Sequence, residues 1–270
     1  MRTEYLVSNE VDYPLVGQFV ARLNHTSGVY VGVGPEQNYS FIAATTPAAA
    51  FIIDYRRENL LLHALFRSLL ELADSRSEYL ALLLSKPLSE SSFPADPTLT
   101  NLIVHCDRTA SDLDLFQRTL GQIKSRVLEH VGDVTENDFP VIEQIYRDFR
   151  DDGLDLRCRF PQYTSRGKLY PTYRDFLMSG AESQLEGRHF LADDAAFNVV
   201  KQRYSENRIL CVKGDYAGLQ ALTTVGRFCS HHSLKIGLIY VSSVEYRLMK
   251  EGVFDQYVRN CHIGSVQSFV

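Results

Sequence analysis

The sequence lacks the local patterns by which several common protein classes are recognised. Its 270 residues include no tryptophan and only three methionines. It has no G-x-S-x-G elbow, P-loop lysine motif or H-E-x-x-H pair, which excludes the hydrolase, kinase and protease classes that depend on them. No stretch approaches the roughly 18 apolar residues of a membrane span. The beginning, MRTEYLVSNEVDYP, is interrupted by acids and does not resemble a signal peptide. We therefore expect a soluble, cytoplasmic protein that does not associate with a membrane.

Excess positive charge, paired cysteines and clustered histidines are also missing. The net charge is -5 and the pI is about 5.9, so binding to nucleic acid is not expected. An odd number of cysteines with no C-x-x-C spacing indicates reduced thiols rather than disulfides or a zinc site. These cysteines are Cys106, Cys158, Cys211, Cys229 and Cys261. His231 and His232 are adjacent and have no third ligand at helical spacing, so no metal site is predicted.

What the sequence does contain is an α/β pattern at both ends, separated by a long helical stretch. Four apolar runs predict buried strands: 29–33, 49–54, 208–215 and 235–243. Such runs, without alternation, are typical of a mainly parallel sheet that is covered on both faces. We predict a single α/β domain over residues 1–270. Its core would comprise residues 1–59 and 206–270, and residues 60–205 would form a mostly helical insertion after the second strand.

Helical periodicity and turn-forming residues complete the prediction. Helices are predicted at 12–24, 38–45, 58–86, 112–131, 136–151, 193–205, 219–231 and 244–250, an edge strand at 263–270, and loops at 87–98 and 160–173. The long leucine-rich helix is expected to break near Asp74 and Ser75. Its apolar side could face the core or a second subunit. The 160–173 loop, which carries tyrosines beside basic residues, could be a lid over a substrate or a packed loop.

The stretch GVYVGVGPEQN, followed by AAFIIDYRREN, suggests a binding site for a nucleoside-like molecule. Gly32 and Gly34 end a strand that leads into a helix, where glycine allows close approach and the helix N-terminus favours polar ligands. Asp54 ends the next strand, where an acid can accept both hydroxyls of a ribose. The third glycine of the dinucleotide fingerprint is absent. A tight turn with no ligand is the alternative interpretation.

Later strand ends also carry polar residues. Asp215 follows the third strand, and Ser242, Ser243 and Glu245 follow the fourth. Because parallel strands end at the same edge of a sheet, these side chains are expected to converge on one site. For Asp215 or Ser243 alone, a helix N-cap is the favoured interpretation, and it is their convergence as a group that favours a ligand site. Asp215 and Glu245 are the candidates for a catalytic proton acceptor.

The blocks YVGVGPEQNYSFIAATTPAAAFIIDYRREN, GDYAGLQAL and IYVSSVEYRL resemble a group of uncharacterised bacterial proteins, the LIC_10091 family. That family has a Rossmann-like fold of the class I S-adenosylmethionine-dependent methyltransferase type. The resemblance extends over nearly the whole chain. It differs at Ser243, where an asparagine is expected, and the N-P-P-Y signature of amino-group methyltransferases is absent.

The resemblance implies that S-adenosylmethionine is the cofactor. Its site would comprise Gly32, Gly34, Pro35, Glu36, Gln37, Asn38, Asp54, Tyr55, Arg56, Asp215 and Tyr216. The glycine turn would lie under the methionine part, Asp54 would hold the ribose, and Asp215 would lie near the adenine or the amino-acid part. Ser242, Ser243 and Glu245 would contact an unknown small-molecule substrate.

Three hypotheses follow for function. The first is methyl transfer from S-adenosylmethionine to that substrate. The second is a non-catalytic protein that binds a nucleoside or cofactor. The third is an interaction protein whose crevice is closed by side chains such as Gln37, Tyr39 or Tyr55.

Overall fold

The computed structural model describes residues 5–10, 13–22, 28–88, 97–159, 170–182 and 189–262. The strands are β1 (Val29–Gly32), β2 (Ala49–Asp54), β3 (Ile209–Lys213) and β4 (Ile236–Ile239). The helices are α1 (Tyr13–Arg22), α2 (Gln37–Thr45), α3 (Arg57–Leu72), α4 (Arg76–Leu83), α5 (Leu99–Arg108), α6 (Leu113–His130), α7 (Phe139–Asp152), α8 (Tyr173–Glu182), α9 (Asp194–Ser205), α10 (Ala221–His231), α11 (Val244–Lys250) and α12 (Phe254–His262). Short 3-10 turns occur at Glu136–Asp138 and Gly153–Asp155.

The four described strands form one parallel sheet in the order β3-β2-β1-β4. Strands β1, β2 and β4 are buried throughout, in agreement with their unbroken apolar sequences. Strand β3 lies at an edge, and its Leu210 and Val212 are each 38% exposed. The prediction of an α/β fold with a parallel sheet is therefore confirmed for these strands.

Between β2 and β3 the described residues are mostly helical, and this segment begins with a leucine-rich pair of helices. Helix α3 turns its leucines into the core, where Leu61, Leu65 and Leu69 are at most 1% exposed. It ends at Leu72, and Ser75 then caps α4 by accepting a hydrogen bond from the Glu78 amide at 3.2 Å. The predicted break and the core-facing interpretation are both confirmed.

Several predicted boundaries need correction. Tyr173 begins α8 rather than ending a loop, because Thr172 and Asp175 cap the helix through reciprocal hydrogen bonds. Helix α10 begins at Ala221 rather than 219, since the preceding residues form a turn. Helices α5, α8 and α12 were not predicted. The proposed edge strand at 263–270 and most of the 160–173 loop lie outside the described residues.

In the portions of the chain that the structure describes, no helix is both long and apolar enough to cross a bilayer.

Candidate functional site

The carboxyl ends of the strands bring most of the predicted site residues to one edge of the sheet. Because the sheet is parallel, the Gly32–Gly34 turn, Asp54, Asp215 and Ser242 all follow strands that end on this side. A cleft of about 490 Å³ lies between the end of β3 and α10. Its lining includes Phe51, Ile53, Lys213, Asp215, Leu219 and Thr224.

The glycine turn after β1 is shaped by the chain's own packing. Gly34 has φ +81°, a left-handed conformation that favours glycine. At Gly32, a Cβ atom would lie 2.0 Å from Oδ1 of Asn38 and 2.6 Å from the hydroxyl of Tyr30. Glycine is therefore required at residue 32 for internal contacts, whether or not a ligand approaches.

Asn38 and Gln37 occupy the space beneath this turn. Both are fully buried. Asn38 Nδ2 donates to the carbonyls of residues 33, 34 and 35 at 2.7–3.2 Å, and its Oδ1 accepts from the Tyr30 hydroxyl at 2.7 Å. Gln37 Nε2 donates to the Val33 carbonyl at 3.1 Å. These bonds fix the turn around side chains of the protein itself.

Tyr216 covers the end of β1. Its hydroxyl donates to the Gly32 carbonyl at 2.8 Å, and the side chain is 2% exposed. Asn260 on α12 holds the Tyr216 loop by donating to the carbonyls of Tyr216 and Gly218 at 3.0 and 2.9 Å. The Gly32 carbonyl, beside which the methionine part of the cofactor was expected, therefore already has a hydrogen-bond partner within the chain.

Asp54 is held by an arginine two residues later. Arg56 donates from Nε to Oδ1 at 2.9 Å and from Nη2 to Oδ2 at 2.5 Å, and its backbone N–H also reaches Oδ1 at 3.0 Å. The Asp54 side chain is 3% exposed, and the guanidinium lies 4.5 Å from the centre of the Tyr5 ring. Both carboxylate oxygens of Asp54 are thus already engaged by groups of the chain itself.

Asp215 lies at the rim instead of capping a helix. Its carboxylate accepts from the Ala217 amide at 3.1 Å and pairs with Arg247 at 3.3 Å, while the residue before α10 is Gln220. The Arg247 guanidinium also lies 4.9 Å from the centre of the exposed Tyr55 ring. Arg247 therefore connects the loops that follow β2 and β3.

The predicted substrate-contacting residues that follow β4 share no hydrogen-bond partner within the described residues. Ser242 has φ +49°, and its hydroxyl donates to the carboxylate of Glu10. Ser243 immediately precedes α11 but makes no side-chain cap bond, so the predicted cap contact is absent. Glu245 is half-buried on α11.

A buried chain of hydrogen bonds below the turn was not predicted. His63 on α3 donates from Nε2 to the Gly34 carbonyl at 2.9 Å, because a carbonyl can only accept. Its Nδ1 accepts from Tyr39 at 2.6 Å, and Tyr39 in turn contacts the Tyr204 hydroxyl at 2.8 Å. Burial lowers the pKa of His63 to about 4, which keeps the ring neutral. No local pattern separates His63 from the leucines around it.

A second buried group, the Glu36 cluster, comprises Glu36, Tyr79, Tyr173 and His189. Each side chain is at most 1% exposed. Burial raises the pKa of Glu36 to about 8, although the neighbouring Tyr173 and Tyr79 hydroxyls oppose the rise, and burial lowers the pKa of His189 to about 3. His189 Nε2 lies 3.8 Å from Glu36 Oε1. Five buried atoms of the cluster make no hydrogen bond of ordinary geometry within the described residues. They are both carboxylate oxygens of Glu36, the hydroxyls of Tyr79 and Tyr173, and Nε2 of His189.

The comparisons with known proteins show the family of this chain. A family model described as "Domain of unknown function (DUF7790)" matches residues 5–94 and 122–262, and the chain belongs to that family. No curated protein matches it. In the described residues there is also no group of three or more histidine, cysteine, aspartate or glutamate side chains arranged to hold a metal ion.

Proposed function

We propose that this protein is a non-catalytic interaction protein that keeps a methyltransferase-like fold. The proposal rests on one observation: side chains of the protein itself occupy both parts of the predicted cofactor site at the strand ends. Asp54 is engaged by Arg56, and the glycine turn is filled by Gln37 and Asn38. Filling of the crevice by Gln37 is the arrangement expected of a closed interaction protein.

The energy of these contacts opposes binding of S-adenosylmethionine. Removing one partner from a buried ion pair costs about 3–5 kcal/mol. Micromolar binding supplies only about 8 kcal/mol in total. A ribose at Asp54 would have to displace Arg56, and a methionine chain at the turn would have to displace Asn38 from three carbonyl groups as well.

A second candidate function is the binding of S-adenosylmethionine with methyl transfer to a small molecule. One feature of the Asp54–Arg56 ion pair favours this candidate. Arg56 presents two donors to the two oxygens of Asp54, as the two hydroxyls of a ribose would. A nucleoside could therefore replace Arg56 donor for donor. The cleft beside Asp215 has a volume in the range of small-molecule sites.

Calorimetric titration with S-adenosylmethionine and S-adenosylhomocysteine separates the two candidates. The variants are Arg56→Ala, Asp54→Ala and, as a matched control, Arg57→Ala. Arg57 is the adjacent arginine and makes its own two-pronged contact with Asp138 at 2.7 Å. The leading proposal predicts that neither molecule binds the wild type at millimolar concentration.

Saturable binding to the wild type that Asp54→Ala abolishes and Arg57→Ala preserves would overturn the leading proposal in favour of the second candidate. Binding that emerges only in Arg56→Ala would show a nucleoside site that Arg56 closes. Absence of binding in every variant would support the leading proposal and remove the second candidate.

A further inference from the structure

The Glu36 cluster combines side chains from four separate parts of the chain. Glu36 precedes α2, Tyr79 lies in α4, Tyr173 begins α8, and His189 lies between α8 and α9. The large majority of buried side-chain polar atoms in proteins have a hydrogen-bond partner. The Tyr79 and Tyr173 hydroxyls lie near enough to Glu36 to lower its pKa, but neither makes a hydrogen bond of ordinary geometry with it. Five such polar atoms at one place, among the described residues, therefore indicate a site that a polar ligand completes.

The proton on His189 can be placed from its other contact. The Leu191 amide donates to His189 Nδ1 at 3.1 Å, so Nδ1 is an acceptor and Nε2 carries the hydrogen of the neutral ring. The 3.8 Å separation from Glu36 Oε1 is too long for a direct hydrogen bond. His189 and Glu36 are therefore close neighbours in the cluster without a direct hydrogen bond between them.

The charge of the cluster favours a cationic ligand. Within the described chain, no lysine or arginine is recorded as an ion-pair partner of Glu36, and its side chain makes no cap bond to α2. Burial raises the pKa of Glu36 to about 8, so the group holds a proton at neutral pH unless a cation replaces that proton. Carboxylate oxygens only accept hydrogen bonds, and phenol oxygens can accept them as well. A metal ion is disfavoured, since the described residues lack a cluster of metal ligands here.

We infer that the Glu36 cluster binds the primary ammonium group of a small amine. The ammonium has three N–H donors, which match the Glu36 carboxylate and the oxygens of Tyr79 and Tyr173, and its charge takes the place of the proton that Glu36 otherwise holds. Because the cluster is enclosed, the group that enters must be small. The inference does not depend on whether the strand-end cleft binds a nucleoside.

Thermal unfolding in methylammonium chloride tests the inference. Sodium chloride at equal ionic strength is the salt control, and tetramethylammonium chloride, which has no N–H donor, is the ligand control. The variants are Glu36→Gln and Tyr173→Phe, with Glu58→Gln as a matched control because Glu58 is an exposed glutamate at the start of α3. At ten times its dissociation constant, methylammonium is expected to raise the wild-type Tm by about 3 °C.

The expected pattern is a saturable rise for the wild type and Glu58→Gln, none for Glu36→Gln, and an affinity roughly 2- to 10-fold lower for Tyr173→Phe. If Glu36→Gln does not fold, Tyr173→Phe alone decides the question. Three results would overturn the inference: no saturable rise beyond that in sodium chloride, an unchanged affinity in Tyr173→Phe, or an equal rise with tetramethylammonium. The first would mean that the cluster holds only water.

Discussion

The glycine turn and the Glu36 cluster are neighbours in sequence but opposite in their hydrogen bonding. Asn38 uses its amide fully, with three carbonyl acceptors and the Tyr30 hydroxyl as a donor. Two residues earlier, both oxygens of Glu36 lack a bond of ordinary geometry within the described residues. A satisfied network fixes a conformation, whereas an unsatisfied one is maintained at a cost in stability. At the turn, Gln37 Oε1 is the exception, since it also lacks a hydrogen bond. The Asn38 network therefore has the character of structure, and the Glu36 cluster that of a binding site.

The largest expected effect is a loss of stability on replacing Asn38, whose hydrogen-bonding groups are all satisfied. Asn38→Ala would remove one hydrogen bond from each of three buried carbonyls and one from the Tyr30 hydroxyl, although Gln37 and His63 still donate to two of those carbonyls. The free energy of unfolding should therefore fall by about 2–3 kcal/mol. Urea denaturation measures the change. Asn101→Ala is the control, because Asn101 makes similar reciprocal bonds with Thr98 at the exposed start of α5 and should cost only about 1 kcal/mol. Equal losses in the two variants would contradict the structural role of Asn38.

On the unsatisfied side, Glu36→Gln should stabilise the protein at alkaline pH. The folded-state pKa of Glu36 is about 8, above the ordinary 4.5, so the folded state retains a proton that the unfolded state releases. The stability that this proton contributes is complete below pH 4.5 and is lost as the pH rises to 8. Glutamine has no such loss, so the variant's advantage should grow over this window to about 2 kcal/mol, after allowance for relaxation around a buried charge.

Urea denaturation from pH 4.5 to 9 measures this difference between wild type and variant. His63 and His189 are held neutral by burial, and their effect appears on the acid side, where stability falls from pH 6.5 towards 4 and 3 respectively. This effect of the two histidines is the same in the wild type and in Glu36→Gln, so it cancels when their free energies of unfolding are subtracted. A difference that does not vary with pH would show that Glu36 titrates normally.

The same comparison shows which parts of the structure sequence reasoning could reach. Apolar runs predicted the parallel strands, and a strand end predicted where Asp54 lies. The contact of Arg56 with Asp54 was not predicted, because it depends on the direction of a long side chain and on Tyr5 beside it. Glu36 was assigned to the cofactor turn from its neighbours in sequence. Its neighbours in space, such as Tyr173 and His189, come from helices whose packing no local pattern records.

The smallest expected effects come from removing single hydroxyl groups, and they compare the two regions most directly. Tyr39→Phe removes a hydroxyl that contacts both His63 and Tyr204, and it should lower the free energy of unfolding by about 1–2 kcal/mol. Tyr173→Phe removes a hydroxyl that completes no ordinary hydrogen bond among the described residues. Without added amine, its effect should stay within about 0.5 kcal/mol. A loss at Tyr173 as large as that at Tyr39 would mean that its hydroxyl is bonded in solution, and the contrast between the two regions would then fail.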